Sequence, residues 1–363
     1  MRFLNSRYRT RPSLTEAAQY QIKRLDAGDS QQAQAWDQFI FAHPCGTFFH
    51  RAAWQKVIAE QFGHKTYYFY AEKDGKIEAV LPTANVSSWL FGNALTSLPF
   101  AVYGGVLASQ EAAGAALVRE ASDWAQKLGV DHLELRNMAA SQMEWPRQDI
   151  YVTFRKEILA DPEANMLAIP RKQRAMVRKG IKNELISVID QDAGRFFELY
   201  ADNVHRHGTP AMSKRYFAAL LKEFGPDCEV LSVLSADGKP LSSVLSFYFR
   251  DEVLPYYAGD DESARHLAAN DFKYWELMRR SCERGLKIFD FGRSKKDTGS
   301  FAFKKNWGFE ATQLSYEYCL FKGAQIPQNN PSNPKYKLLI QTWRKLPIGL
   351  ANWLGPFIVR YLG

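Results

Sequence analysis

The chain has 363 residues, 46% hydrophobic and 14% aromatic, enough apolar material to fill more than one core, so two lobes are expected. Four cysteines, Cys45, Cys228, Cys282 and Cys319, stand far apart with no CxxC pair. That spacing indicates neither a disulfide framework nor a thiolate zinc site, and predicts small core residues in a reducing compartment. The net charge is +8, and a single run, Arg171 to Lys182 (RKQRAMVRKGIK), carries six basic residues and no acid. Such a run is either a solvated helix face or a grip on an anionic substrate.

In chain order, MRFLNSRYRTRPSLT holds Arg2, Arg7, Arg9 and Arg11 but no apolar run of secretion-signal length, which predicts a cytoplasmic protein. From Tyr68, two apolar runs flank Lys73-Asp74-Gly75-Lys76 and read as a hairpin. Leu117 to Asn137 reads as an amphipathic helix, a stop at Gly129 and a strand over His132–Arg136. Pro162 and Pro170 bracket the expected lobe boundary. The basic run then predicts a helix stopping near Gly180 to Asn183, followed by a strand over Leu185–Asp190. Helices follow over Ala193–His207 and Ser213–Phe224, with Ser213 as N-cap. A second hairpin, from Val230, turns at Asp237-Gly238-Lys239, and Phe272 to Gly292 gives a helix, a stop at Gly285 and a strand over Lys287–Phe291. The second set repeats the first, predicting an α/β (α+β) protein of duplicated lobes, each a mixed, mostly antiparallel sheet layered with helices. The expected division is an extension over 1–40, lobes over 41–162 and 163–322, and a linker and tail over 323–363.

No Walker loop, GxSxG, HExxH or GxGxxG before a helix is present. The most distinctive stretch is Ile288 to Glu310: a strand, a Gly/Ser/Thr-rich loop with Arg293, Lys295 and Lys296, and a short helix around Ser300–Trp307. Backbone N–H groups at a helix start beside cations suit a phosphate or a developing oxyanion; the residues by themselves equally describe a surface loop with ordinary lysines. Lys304 and Lys305 stand beside Phe303 and Trp307, which predicts a partly desolvated lysine. Asp290, at a strand end, either orients a substrate amine or bonds nearby backbone. His205 and His207, two apart, make no compact metal site, and no metal is expected. Asp260-Asp261-Glu262 reads as an acidic turn, either the source of a general base or, more simply, a solvated turn.

Asp290-Phe291-Gly292, then Phe303-Lys304 and, two residues on, Trp307-Gly308, resemble the closing motif of the Fem family. GTFFHRAAW with Trp54, the basic run, RHGTPAMSKRYF from Arg206 and YYAGDDESARHLAANDFKYWELM from Tyr256 fit the same family in order, from about Gly46 to Leu320. The whole is most similar to the FemAB-like proteins that accompany exosortase (PEP-CTERM) and exopolysaccharide systems. The resemblance implies two acetyltransferase (GNAT)-like lobes and transfer of an aminoacyl or acyl group to a cell-envelope or exopolysaccharide-related acceptor: a glycan, a peptide or a lipid-linked molecule. It implies that Lys304 stabilises the oxyanion of a tetrahedral intermediate, that Phe303 shapes the acyl pocket and that Asp290 takes part in catalysis. Arg171, Arg174, Arg178, Tyr256, Arg265, Asn270, Arg293 and Lys305 are the expected substrate-binding residues. No cofactor is expected to be tightly bound; the donor is aminoacyl-tRNA or acyl-CoA.

Two departures shape these expectations. Where cell-wall bridge enzymes of that family carry a lysine four residues after the tryptophan and an arginine in the second-lobe segment, this chain has Ile58 and Met212. That argues against a nucleotide-linked muramyl peptide as acceptor. The pyrophosphate loop of acetyltransferases, R/Q-x-x-G-x-G/A, meets Arg265, Ala268 and Asn270 here, which disfavours acyl-CoA.

After Glu317 there is no acidic residue, and Lys322, Lys335, Lys337, Arg344, Lys345 and Arg360 follow. Pro327 to Pro334 reads as a linker, and Leu346 to Val359 as an apolar stretch broken by Pro347 and Pro356. It either attaches to an anionic membrane surface, as a peripheral contact on the inner face, or packs on the body. Three readings stand: a Fem-like aminoacyl or acyl transferase, an acyl-CoA-dependent N- or O-acyltransferase using the same lobe, and a non-catalytic module for an anionic ligand.

Overall fold

The computed structural model describes residues 19–89, 91–141, 143–327 and 337–363. The N-terminal arginines and all but the first residue of the expected linker lie outside them. The strands are β1 (Gln21–Arg24), β2 (Lys65–Lys73), β3 (Lys76–Ser88), β4 (Gly92–Thr96), β5 (Leu107–Ala108), β6 (His132–Asn137), β7 (Arg147–Gln148), β8 (Tyr151–Glu157), β9 (Ile186–Asp190), β10 (Cys228–Leu234), β11 (Pro240–Phe249), β12 (Glu252–Asp260), β13 (Ile288–Lys295), β14 (Ala311–Gln313) and β15 (Ser315–Leu320). The first sheet runs β1-β2-β3-β4-β6-β15-β7 with β5 on β3, and the second β14-β8-β13-β12-β11-β10-β9.

Both expected hairpins form. Lys73 pairs with Lys76 across Asp74 and Gly75, whose φ values of 51° and 74° are those of a type I′ turn. In each sheet one parallel pair interrupts the antiparallel order, β4 with β6 and β12 with β13, and a helix joins the two strands, Glu111–Lys127 or Ala269–Glu283. The repeat legible in the sequence is this doubled unit.

Strand membership cuts across the boundaries expected at 162 and 322. β8, from the first-lobe segment, pairs with β13 and β14, while β15, from the second, pairs with β6 and β7. The lobes are stapled by this reciprocal exchange and by the apolar core between the sheets. Phe48 stacks on Phe247 at 4.3 Å, and Trp54, itself buried, packs at 5.0 Å from Phe224. Burying one such ring contributes about 1.5–3 kcal/mol, so separating the lobes would expose several at once. Ile58 and Met212 are buried in this core.

Several expectations are corrected. Cys45 is exposed. Arg293 to Lys295 belong to β13 rather than to a loop, because they pair with Tyr151 to Thr153 of β8. Asp260 is no solvated turn residue: it ends β12 and lies 2.9 Å from the fully buried Lys273 ammonium. The tail helix, Ile348–Val359, runs through Pro356 instead of breaking there. Packing holds it, since Ala351, Gly355 and Val359 are buried, and a Cβ on Gly355 would sit 2.8 Å from Ala211 O. His64 Nε2 lies 2.7 Å from Arg360 O, and Arg344 donates to His207 O at 3.3 Å. Among the described residues, no helix is long and apolar enough to cross a membrane.

Candidate active site

β12 and β13 pair at Glu252–Ile288 and Val253–Phe289 and no further along, so the two strands part beyond Phe289. Alternation along β13 sends Phe289 and Phe291 into the core beneath the second-lobe helices, and Asp290 to the opposite face. There the β13–β8 ladder slips between Asp290 and Arg293, and Gly292 takes φ 64°, a left-handed conformation that favours glycine. The helix Gly299–Asn306, capped by the Thr298 hydroxyl, brings Lys304 back to this bulge. Lys304 Nζ donates to the carbonyls of Gly292 and Arg293, both at 3.0 Å. An ammonium has three N–H donors, so one is left for a ligand. Burial pushes the Lys304 pKa down to about 8, against the pull of the Asp290 carboxylate.

Asp290 is 1% exposed. It accepts from the Tyr103 hydroxyl at 3.1 Å and from Gly292 N–H at 2.7 Å, and Arg155 Nη1 lies 3.4 Å away. Burial raises its carboxyl above the ordinary range, with Arg155 opposing. Arg155 also pairs with Glu252, whose carboxyl burial lifts to about 7. Two cations, Arg155 and Lys304, thus meet two carboxylates, Asp290 and Glu252, around the bulge. Tyr103 is a first-lobe residue, so both lobes build the site.

Arg293 points elsewhere. Its guanidinium lies 4.5 Å from the centre of the Tyr151 ring and donates to Tyr316 Oη at 3.2 Å, entering a polar cavity of about 130 Å³. Glu134, Arg136, His132, Gln148, Tyr316 and Tyr318 line that cavity, and Tyr361 to Gly363 of the tail complete its wall.

The other expected residues are dispersed. Phe303 packs on Tyr274 at 5.5 Å, and exposed Lys305 sits 5.7 Å from the Phe301 ring. Tyr256 is committed to the interlobe core, its hydroxyl donating to Phe100 O at 2.6 Å. The basic helix forms over Arg171–Lys182 as expected and packs on Ala269–Glu283, with Gly180 against Phe272. Arg171 and Arg178 are exposed on it, while Arg174 donates to Leu167 O at 3.0 Å. Asn183 donates to Leu267 O at 3.1 Å, so one end of this helix adjoins the turn that carries exposed Arg265, left-handed Ala268 (φ 59°) and half-buried Asn270. Tyr103, Thr153, Arg155, Glu252, Glu134 and Arg136 stand in no recognisable motif of the sequence. One signal was available: in His132-Leu-Glu-Leu-Arg-Asn, charges alternate with leucines along a strand, placing Glu134 and Arg136 on one face.

Two mixed sheets, each with a central parallel pair joined by a helix, define a tandem acetyltransferase (GNAT)-like fold. Residues 169–305 match the family model described as Acetyltransferase (GNAT) domain. No curated protein matches the chain by sequence. Among solved structures, FemX superposes with a TM-score of 0.61 at 14% identity, over 88% of this chain and 100% of that one. A tandem GNAT protein from the clavulanic acid biosynthesis pathway gives 0.52 at 13%, over 84% and 100%. L-PGS from Bacillus licheniformis gives 0.55 at 10%, over 88% and 98%. At such identities the likeness is one of fold.

Proposed function

We propose that this protein is an acyltransferase that moves an aminoacyl or acyl group onto an amine or hydroxyl of a cell-envelope or exopolysaccharide-related acceptor. The observation that carries this reading is the half-buried Lys304 ammonium pinned to two carbonyls at the bulge where β12 and β13 diverge. As the acceptor atom attacks the donor's carbonyl carbon, the new bond forms and the π pair moves to oxygen. The remaining Lys304 N–H stabilises that oxyanion. Collapse returns the pair, expels the tRNA hydroxyl oxygen or the thiolate of coenzyme A, and delivers to it the proton lost by the acceptor. The Asp290 carboxylate, fixed by Tyr103 and Arg155, holds the charge balance around Lys304.

Aminoacyl-tRNA is the favoured donor, because Ala268 and Asn270 stand where glycines would let backbone approach a pyrophosphate. Buried Ile58 and Met212 argue against a nucleotide-linked acceptor. A specific observation also favours the acyl-CoA reading: the chain takes the left-handed turn at Ala268 just before the helix Ala269–Glu283 and exposes Arg265 beside it. The proposal includes peripheral contact of the tail with an anionic membrane surface. Mass spectrometry of envelope glycans and peptides incubated with the protein and either charged tRNA or acyl-CoA tests it. A mass increment with charged tRNA supports the first donor, an increment with acyl-CoA alone assigns the second, and none with either overturns the transferase reading.

A further inference from the structure

We infer that the polar cavity beside β13 is a binding site for the carboxylate-bearing end of a small molecule, gripped by Arg136 and Arg293. Calling that molecule a substrate rests on the transferase reading; the binding does not. The guanidiniums of Arg136 and Arg293 each lie 5.7 Å from the centre of the Tyr316 ring, and Arg136 is only 5% exposed. The two like charges repel, Arg293 acting on the buried Arg136 guanidinium, and such a pair is stable where anions complete the set.

One carboxylate is supplied. Glu134 Oε1 accepts from Arg136 Nε at 2.9 Å, and burial, which alone would raise its carboxyl, is outweighed by Arg136. Arg136 Nη1 donates to backbone, 2.9 Å from Ala101 O, and it is the Nη2 end that is left to meet a ligand. Arg293 donates to the Tyr316 hydroxyl, a neutral partner, and among the described residues no carboxylate pairs with it. Among the side chains that line the cavity, two are guanidiniums, Arg136 and Arg293, and one, Glu134, is a carboxylate, in about 130 Å³. That is space for a carboxylate and the atoms next to it.

The remaining wall is polar. Tyr318 donates to Gln148 Oε1 at 3.3 Å, and His132, 8% exposed, keeps its Nδ1 without a hydrogen-bond partner. A planar guanidinium suits a carboxylate, and Glu134 in the same wall opposes the higher charge of a phosphate. The site adjoins the chemistry: the residue whose side chain enters the cavity, Arg293, is also the one whose carbonyl holds Lys304.

Titration calorimetry of the full chain with glucuronate, glucose and inorganic phosphate tests the inference. Glucuronate should bind, glucose should not, and phosphate should compete poorly. Arg293→Gln should weaken glucuronate by about tenfold or more, the loss expected of a charge-assisted hydrogen bond. Arg136→Lys should weaken it too, and Lys127→Ala, on the exposed side of the helix behind the first sheet, should not. Equal binding of glucose, full competition by phosphate, or indifference to both arginine substitutions overturns the inference. Glucuronate binding without turnover on any donor leaves the cavity assigned and removes the transferase reading. Turnover without glucuronate binding does the reverse.

Discussion

Lys304 is charged in neutral water, but burial moves its pKa down to about 8. A lowered pKa means that the ammonium persists below that value and is lost as pH rises through it. In the proposed role the oxyanion needs the charged form. Transfer should therefore fall above about pH 8, and Lys304→Arg, whose guanidinium stays charged, should lose that inflection while retaining some activity. A pH–rate profile unchanged between the two proteins would remove Lys304 from the chemistry. The residues of this site were legible where they are local: Asp290, Gly292 and Lys304 lie in one strand–turn–helix passage with recognisable spacing. Tyr103, Thr153, Arg155 and Glu252 were not, because they meet Asp290 only through the fold and their own neighbourhoods carry no motif.

Elements announced themselves when local rules and tertiary packing agreed. The helix Arg171–Lys182 has Val177 and Gly180 inward and its charges outward, and the Ser213 side chain caps the next but one, accepting from Tyr216 N–H at 3.1 Å. They misled where packing overruled a breaker, as at Pro356. A helical proline loses a backbone hydrogen bond and crowds the preceding turn, but Ala351 and Gly355 let this helix lie close on the body. Its outer face leaves Trp353 65% and Phe357 58% exposed, their rings 5.9 Å apart, in a segment free of acids. The full chain should co-sediment with vesicles containing anionic lipid and be released by salt, each Lys or Arg near the surface adding about 1 kcal/mol. Trp353→Ser with Phe357→Ser should lower that binding. Equal sedimentation of both proteins, or none by the parent chain, would confine the tail to packing.

At the scale of the molecule, the two lobes share strands and one apolar core. The match to the acetyltransferase domain covers residues 169–305, yet β8, which brings Thr153 and Arg155 to Asp290, and the loop bearing Tyr103 lie outside that range. Duplication was legible in the repeated hairpin–helix–strand order. Strand exchange was not, because β8 and β15 pair with whichever sheet edge the completed fold offers. The central claim is that this two-lobed frame exists to hold one lysine ammonium at a developing oxyanion. Single-turnover transfer by Lys304→Ala, measured beside the parent protein with circular dichroism to confirm folding, tests it most directly. The account predicts a folded variant that still binds donor and is about 100- to 1,000-fold slower, the loss typical of one oxyanion donor; a folded variant with undiminished rate would contradict it.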